Sequence, residues 1–472
     1  MSGIAAVWGI CESSPLEKML LKIQHRGSKT EVYQNSQPLV LGHISSSQEF
    51  FHTNGEEVIA GDGIMVPSIE ASTLLAMISD QGPEILSKLG GSFALLANTR
   101  EGPIAARDRF GQKPLYFGKE GENVFFASEL KALPKVCQDV KPLPPGTFYR
   151  PNTGIAPYTG KNEFDTKATQ LKTKGTAQNQ LQEMLVRAVE KRLPSKGNLG
   201  VFLSGGLDSS IIAAISKYLT KDVQTFTAGY KESLDLRNAR NVANYLSTSH
   251  NEYHYTLDEI KDILPKVIYH LESFDCSLVR SSIANYIVAR LARQNGIDFI
   301  LAGEGADELF GGYHYLKDIT PLEQTQELKK LLLAGHNIGF QRVDRMTAAH
   351  SLDCAMPFMD EDIIQLSFSI PIEWKINGPE QQEKWILRQA FTGWLPSEIL
   401  HRRKDEFSQG AGSAHLMEDI ASQEITDAEF ARECRPFPGY TITSKEELLY
   451  YRLFRKFFPL ESQYETVGHW HA

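Results

Sequence analysis

The chain has 472 residues, of which 42% are hydrophobic and 23% are charged, as in ordinary soluble globular proteins. The formal net charge of −9 argues against a general nucleic-acid-binding role, because that role needs a basic surface. The five cysteines are far apart and form no C-x-x-C pair, so neither a disulfide framework nor a zinc site is expected. With no apolar run of membrane length and no signal-peptide pattern, we expect a cytoplasmic protein that binds neither membranes nor nucleic acid.

The first 150 residues have the pattern of a strand-rich α+β domain. Short stretches rich in Val, Phe and Ile, such as GGSFALLANT at 90–99, alternate with glycine-containing turns. Helical spacing appears around residues 71–79 and 83–89. The polar stretch 151–176 follows, rich in Pro, Gly, Thr and Lys. We therefore expect a first domain at 1–155, a linker at 156–176 and a second domain at 177–472.

In the second domain the pattern changes to alternating strands and helices. Strands are predicted at 199–203, 223–227, 250–256 and 297–302. Helices are predicted from residue 209, near 235–247, and as a pair over 257–294. This alternation is typical of a parallel sheet with helices on both faces. Residues 320–472 have helical patterns and few strands.

The run SGGLDS, residues 204–209, lies where the strand at 199–203 meets the next helix. In open α/β sheets, ligands bind beyond the carboxyl ends of the strands. Two glycines allow close approach of the backbone, and a helix N-terminus offers unpaired N–H groups to an anion. Asp208 would repel a bare phosphate, so it indicates a Mg²⁺ ion between the two. From the spacing alone, a glycine-rich turn with an aspartate cap stays open as the alternative.

SGGLDS resembles the pyrophosphate loop of the ATP pyrophosphatases, which split ATP into AMP and pyrophosphate. LAGEGADELFGGY at 301–313 and RRKDEFSQGAG at 402–412 resemble the glutamine-dependent asparagine synthetases, class II of the bacterial B type. ARDRFGQKPLYF at 106–117 and FASELKAL at 126–133 are similar to the same family, so the resemblance covers nearly the whole chain. It implies a two-domain α+β and α/β fold. An Ntn-hydrolase-like α/β/β/α sandwich comes first, and an ATP-pyrophosphatase-type parallel sheet with a helical C-terminal part follows.

The resemblance implies an enzyme that uses ATP and Mg²⁺ to adenylate a carboxylate and passes the acyl group to an amine. Asp208, Asp235 and Asp307 are the implied Mg²⁺ ligands. Glu304 matches the family's base for the incoming amine. Lys404 matches a lysine at the reacting centre, where a cation offsets developing negative charge. The implied nucleotide-binding residues are Leu203, Ser204, Gly205, Gly206, Leu207, Asp208, Ser209, Thr227, Gly303, Arg280 and Lys384.

Several positions of the first domain depart from the family pattern. Ser2 stands where the family has the cysteine nucleophile that attacks glutamine. Ile44 stands where an arginine holds glutamine, and AGDGIMV at 60–66 replaces an Asn-Gly-Glu turn. The aspartate expected near Ser68 is also absent. We therefore predict that this glutaminase-like domain does not hydrolyse glutamine and is kept as a scaffold for the second domain.

Three functions remain open. The first is an amide synthetase that joins a carboxylic acid such as aspartate to free ammonia or another amine. Ala355, which replaces an arginine before PFMD, weakens the expectation of plain aspartate. The second is a cyclase similar to the β-lactam and carbapenam synthetases, with Tyr269 and Glu304 as its Tyr–Glu pair. The third is a non-catalytic scaffold, against which the intact motifs argue. The partners implied are small-molecule substrates and a second copy of the chain in a homodimer.

Overall fold

The computed structural model of the chain describes residues 1–9, 14–34, 39–46, 50–133, 137–158, 171, 173–231, 233–378, 381–402 and 413–470. In chain order its strands are β1 (Ser2–Trp8), β2 (Lys29–Gln34), β3 (Leu39–Ser45), β4 (Phe51–Thr53), β5 (Val58–Val66), β6 (Gly90–Thr99), β7 (Gly102–Arg107), β8 (Tyr116–Glu120), β9 (Asn123–Ala127), β10 (Gln138–Pro142), β11 (Thr147–Arg150), β12 (Gly154–Pro157), β13 (Leu199–Phe202), β14 (Gln224–Tyr230), β15 (Ser249–Tyr255), β16 (Phe299–Leu301) and β17 (Asp353–Ala355).

The α-helices of the same ranges, again in chain order, are α1 (Ser14–Lys22), α2 (Ala71–Gln81), α3 (Lys174–Glu190), α4 (Leu207–Leu219), α5 (Leu234–Leu246), α6 (Leu257–Leu271), α7 (Cys276–Gln294), α8 (Ala306–Phe310), α9 (Pro321–Ile338), α10 (Gln341–Ala348), α11 (Glu361–Ser369), α12 (Ile372–Lys375), α13 (Trp385–Ala390), α14 (Ser397–Leu400), α15 (Ser413–Glu424), α16 (Asp427–Glu433), α17 (Lys445–Phe457) and α18 (Glu461–Tyr464). None of these helices has the length and hydropathy of a membrane span.

Two antiparallel sheets build the first part of the chain. Their strand orders are β10-β8-β9-β1-β3-β2 and β12-β11-β7-β6-β5-β4. Alternate residues of β1 point to opposite faces, so Ile4 and Trp8 pack between the sheets while Ala5 and Val7 pack under α1. Helix α2 covers the outer face of the other sheet. The predicted α/β/β/α sandwich is confirmed.

A five-stranded parallel sheet of order β15-β14-β13-β16-β17 builds the second part. Helices α3, α4 and α5 pack on one face, and α6 and α7 pack on the other. The central strands β13 and β16 are apolar along their length, as expected for a sheet covered on both faces. The four predicted strands and the helices between them are confirmed, with shifts of up to three residues at their ends.

The predicted linker at 156–176 overlaps regular structure at both ends. Strand β12 continues the second antiparallel sheet to Pro157, and α3 already begins at Lys174. Thr173 starts α3, because its side chain accepts a hydrogen bond from the backbone N–H of Thr176. Residues 159–170, which make up most of the predicted linker, lie outside the described residues.

Candidate active site

An open cavity lies where β13, β14 and β16 end, with a volume of about 1120 Å³ that includes the open solvent at its mouth. Parallel strands place their carboxyl ends at the same edge of a sheet, so the loops that follow them meet there. The sequence-predicted residues that line this cavity are Leu203, Ser204, Gly206, Leu207, Asp208, Ser209, Thr227, Asp235, Gly303, Glu304, Asp307 and Lys384. The structure thus brings together most of the residues that the motifs singled out.

The loop between β13 and α4 is organised by its own two serines. The Ser204 and Ser209 hydroxyls lie 3.1 Å apart, and Ser204 Oγ accepts a hydrogen bond from the N–H of Gly206 at 3.3 Å. Helix α4 begins after Gly206 without a side-chain cap, whereas Ser233 caps α5 through the N–H of Leu236. The first N–H groups of α4 therefore carry the positive end of the helix dipole at the cavity wall, which suits an anion.

Gly205 has a different role from the one predicted. It does not line the cavity, and its φ of +72° is one that glycine favours. A Cβ atom at this position would lie 2.4 Å from the backbone nitrogen of Ala239 in α5. The glycine therefore lets the loop pack directly against α5, and it is Gly206 that presents backbone to the cavity.

Lys384 joins the two carboxylates predicted to hold Mg²⁺. Its Nζ lies 2.5 Å from Asp208 Oδ2 and 2.6 Å from Asp307 Oδ1. Burial alone would lower the pKa of Lys384, but Asp208 and Asp307 raise it above its usual value. Two carboxylates that converge on one cation form an oxygen ligand pair of the kind that Mg²⁺ prefers. The residues present therefore fit a Mg²⁺ ion, and the Lys384 ammonium marks where positive charge is needed.

Asp235 does not join this pair. Among the described residues, Asp208, Asp235 and Asp307 do not converge as a three-ligand group. Arg402 lies beside Asp235 instead, with its Nη2 3.4 Å from Asp235 Oδ1, and its Nη1 donates to the carbonyl oxygen of Gly205. The structure therefore assigns Asp235 to holding an arginine at the cavity wall, and its prediction as a Mg²⁺ ligand is not supported by the geometry.

Glu304, the predicted base, lies on the cavity wall in the loop between β16 and α8. Its Oε1 is 3.2 Å from Nη2 of Arg342 in α10. An arginine at this distance holds a carboxylate in one orientation through a charge-assisted hydrogen bond. Lys404, another of the predicted catalytic residues, lies outside the described residues.

One part of the cavity wall is apolar. Phe202, Phe226, Ala284 and Val288 line it, and Asn285 adds one amide. A mostly apolar surface with an amide that can form hydrogen bonds suits a planar base. The cavity thus combines a polar region with carboxylates and cations and an apolar region, as a nucleotide requires.

The comparison with protein families agrees with this geometry. The family model described as asparagine synthase matches residues 180–339 and 332–471. The chain belongs to the asparagine synthase family. A second family model, a glutamine amidotransferase domain, matches residues 67–150. Members of the asparagine synthase family are ATP-dependent ligases, so this protein is an AMP-forming enzyme of amide ligation.

Curated relatives resemble the chain over most of its length. Asparagine synthetase B (glutamine-hydrolyzing) of Escherichia coli strain K12 is 36% identical over 84% of this chain and 75% of its own length. A probable asparagine synthetase (glutamine-hydrolyzing) of Dictyostelium discoideum is 31% identical over 100% of this chain and 96% of its own. Among solved structures, NMN synthetase from Francisella tularensis is 12% identical over 64% of this chain and 98% of that one. Its TM-score of 0.29 is too low to bear on the fold.

Two residues predicted from the resemblance to asparagine synthetases lie elsewhere. Arg280 pairs with Glu446 and, at 2.9 Å, with Glu418 on the C-terminal helices, so it is not the cavity cation that we predicted. Tyr269 packs its ring against Phe457 at 5.1 Å and lies outside the cavity lining. Burial, with smaller contributions from Glu129 and Glu272, raises the pKa of this tyrosine to about 12. It is a packed helix residue and does not pair with Glu304.

The structure adds residues of this asparagine synthase site that sequence reasoning missed. They are Arg342, Glu383, Arg388 and Arg402. Arg402 opens the RRKDEF run, so its position in the motif was an available signal. Arg342 lies in α10, 38 residues after Glu304 and outside every motif, and only the fold brings it to the cavity.

Another cluster of possible metal ligands lies outside the cavity. His25, Glu129 and His270 bring one ligand atom each within 4.8 Å of one another. The same Glu129 carboxylate, however, already pairs with Arg26 and Lys131 and lies 3.7 Å from Arg345. A divalent cation here would face these buried positive charges, so the cluster is an ion-pair centre and not a metal centre.

Proposed function

We propose that this enzyme adenylates the side-chain carboxylate of an amino acid such as aspartate and transfers the acyl group to ammonia or another amine from solution. The named relatives are glutamine-hydrolysing, and the proposal departs from them in the source of nitrogen. The observation that carries this departure is a buried ion-pair network in the first part of the chain, where the family holds glutamine.

Asp62 is the centre of that network. It belongs to the AGDGIMV run and is fully buried, 3.0 Å from Arg26 Nη1 and 3.3 Å from Lys113 Nζ. Burial raises the pKa of Asp62, while Lys113 and Arg26 oppose the rise. The polar groups of this region are therefore engaged with one another. Ile44, buried in β3, adds an apolar side chain where a glutamine-binding arginine is expected.

Ser2 is also poorly placed to attack glutamine. It is 6% exposed and lies in β1 opposite Ser45 of β3. Its carbonyl oxygen accepts a hydrogen bond from Arg26 Nη1 at 3.2 Å. A nucleophile must reach the substrate carbon, and the burial of Ser2 in this strand restricts that approach.

The second part of the chain has the groups that adenylation needs. The α4 N-terminus and the Ser204 and Ser209 hydroxyls would bind the phosphates of ATP. Asp208 and Asp307 would hold Mg²⁺, which supplies positive charge to the leaving pyrophosphate. Glu304 would take the proton from the amine as its nitrogen attacks the acyl carbon and AMP leaves.

The proposal of an acidic substrate depends on arginines of the cavity wall. Ala355, which stands where the family has an arginine, is buried in β17 and is not among the lining residues. Arg342 and Arg402 line the cavity and provide guanidinium groups, whereas the guanidinium of Arg388 is engaged by Glu383 and by backbone carbonyl oxygens. Because guanidinium binds carboxylates in a directional way, Arg342 and Arg402 support aspartate or a close analogue as the acid.

The cyclase alternative loses its main residue. Tyr269 was the tyrosine available for a Tyr–Glu pair, and it packs against Phe457 and Lys131 outside the cavity. No other observation favours ring closure over ligation to a free amine, so we do not propose it.

The proposal is tested with the purified protein, ATP, Mg²⁺ and aspartate, with either ammonium or glutamine as the nitrogen source. We expect AMP, pyrophosphate and asparagine to form in equal amounts with ammonium. With glutamine we expect no glutamate release. Glutamate formation that matches AMP formation would contradict the proposal.

The variant Ser2→Ala is the matched control. It should leave the ammonium-dependent rate unchanged, because Ser2 lies outside the cavity that we assign to the reaction. If glutamine supports the reaction in the unaltered protein and Ser2→Ala abolishes only that activity, the serine is a working nucleophile and the proposed nitrogen source is wrong.

A further inference from the structure

Helix α10 lies between the two parts of the chain, and its charges are buried. Asp344 is 5% exposed and Arg345 is 1% exposed. Asp344 accepts hydrogen bonds from Arg26 Nη2 and from Lys113 Nζ, each at 2.8 Å. Both partners belong to the N-terminal sandwich, more than 200 residues away in the sequence. One face of α10 is thus tied to the sandwich.

Arg345 ties the same helix to a second set of groups. Its Nη2 lies 2.9 Å from Glu272 Oε2 and 3.3 Å from the Tyr116 hydroxyl. Glu272 in turn accepts hydrogen bonds from the N–H groups of Leu130 and Lys131. The sandwich therefore holds α10 at two adjacent residues through charged, directional contacts.

The opposite face of α10 reaches the active-site cavity. Successive residues of an α-helix are rotated by about 100°, so residues two apart point in nearly opposite directions. Arg342 and Asp344 are two apart. Arg342 accordingly lines the cavity, where it lies 3.2 Å from Glu304, while Asp344 faces Arg26 and Lys113. A small rotation or shift of α10 would move Arg342 relative to Glu304.

The ion pairs of Asp344 fix the position of helix α10. Burial alone would raise the pKa of Asp344, but Lys113, Arg26 and Arg345 hold it well below its usual range. A buried carboxylate is costly unless its partners stay in contact, so the ion pairs tolerate little displacement of the helix. Arg26 also contacts Asp62 at 3.0 Å, which links the anchor to the interior of the sandwich.

We propose that Asp344 is a positioning residue for the synthetase reaction: its ion pairs with Arg26 and Lys113 hold α10 so that Arg342 orients Glu304. The sandwich then contributes to amide formation without hydrolysing glutamine. This inference rests on the proposed function, because it takes Glu304 as the base of that reaction.

A double-mutant cycle tests the inference. The variants are Asp344→Asn, Arg342→Met and the two combined, each assayed for amide formation with ammonium. Because displacement of a catalytic group by about 1 Å costs up to about 100-fold, Asp344→Asn should lower kcat by about 10- to 100-fold. The KM for ATP should stay within about twofold, since Asp344 is not among the residues that line the cavity.

The expected coupling separates positioning from general stability. In the Arg342→Met background, Asp344→Asn should change kcat by less than about threefold, because the side chain through which it acts is already gone. An equal loss in both backgrounds would overturn the inference. Lys113→Met is a second, milder variant that leaves Arg26 on Asp344, and it should show the same pattern with a smaller loss.

Hydrogen exchange tests the same inference without an activity measurement. Asp344→Asn should speed amide exchange in the peptides covering 339–348 and 301–310 by about tenfold, and the peptide covering 204–219 should be unchanged. The surface variant Asp298→Asn, whose partner Arg293 is 44% exposed, should change none of them. If the unaltered protein forms no amide, the proposed function is wrong. The hydrogen-exchange measurement still tests whether Asp344 positions α10 and the loop of Glu304. Unchanged exchange at 301–310 would overturn it.

Discussion

Lys384 shows what single residues of this site do. The sequence suggested a cation for phosphate, but the structure places the Nζ between Asp208 and Asp307. Its backbone takes a left-handed φ of 55° immediately before α13, a costly conformation that the surrounding contacts must maintain. The sequence motif contains this lysine, so a cation at the site could be predicted. That two carboxylates would contact its ammonium group could not.

The two glycines of the phosphate loop give a paired prediction. In Gly205→Ala the new Cβ would lie 2.4 Å from the α5 backbone at a φ of +72°. We expect a loss of about 2–4 kcal/mol in the free energy of unfolding, from overpacking and backbone strain together. Denaturant unfolding with a fluorescence readout measures this loss.

Gly206→Ala is the matched control. Gly206 has an ordinary φ of −74°, and the nearest atom to a new Cβ is Ser204 Oγ at 3.3 Å. We expect this variant to unfold within about 1 kcal/mol of the unaltered protein. Equal losses in the two variants would show that the loop does not pack on α5 as described.

At the scale of elements, long periodic segments were predicted well, and several of the short ones were not. Helices α5, α6 and α7 begin at the side-chain caps Ser233, Thr256 and Asp275, so both their period and their starts are visible in the sequence. Strand β17 has three residues, too few for any alternation to show. It extends the parallel sheet only because β16 lies beside it.

Helix α10 shows the limit of sequence reasoning most clearly. Its sequence QRVDRMTA has three charges in eight residues, a pattern typical of a solvated helix. In the structure, however, Asp344 and Arg345 are buried. Arg26 and Lys113 form ion pairs with Asp344, and Glu272 forms one with Arg345. Ion pairs between residues so distant in the sequence leave no local signal, so neither the helix's burial nor the role of Arg342 could be predicted.

At the scale of the whole molecule, buried histidines link stability to pH. Burial, with nearby cations, lowers the pKa of His270 to about 2, of His336 to about 3 and of His350 to about 4. These histidines stay neutral in the folded state, whereas the unfolded chain binds protons below about pH 6.5. Stability should therefore be greatest above that pH and fall as the pH drops, by up to about 1.4 kcal/mol per pH unit for each histidine.

Denaturant unfolding at pH 7 and pH 5 measures this dependence, in a range above the usual carboxyl pKa values. His336→Gln should lose stability less steeply than the unaltered protein as the pH falls. His254→Gln is the control, because His254 is 52% exposed on β15, and it should retain the full slope. A slope in His336→Gln equal to that of the control would contradict the link between burial and pH.

The central claim is that the loop after β13 and its carboxylates bind the phosphates of ATP so that a carboxylate can displace pyrophosphate. ATP–pyrophosphate exchange, measured over a panel of amino acids in the unaltered protein, Asp208→Asn and Asp298→Asn, tests it most directly. We predict exchange that depends on aspartate or a close analogue, a loss of at least about 100-fold in Asp208→Asn, and no change in Asp298→Asn. Undiminished exchange in Asp208→Asn, or no exchange with any acid, would contradict it.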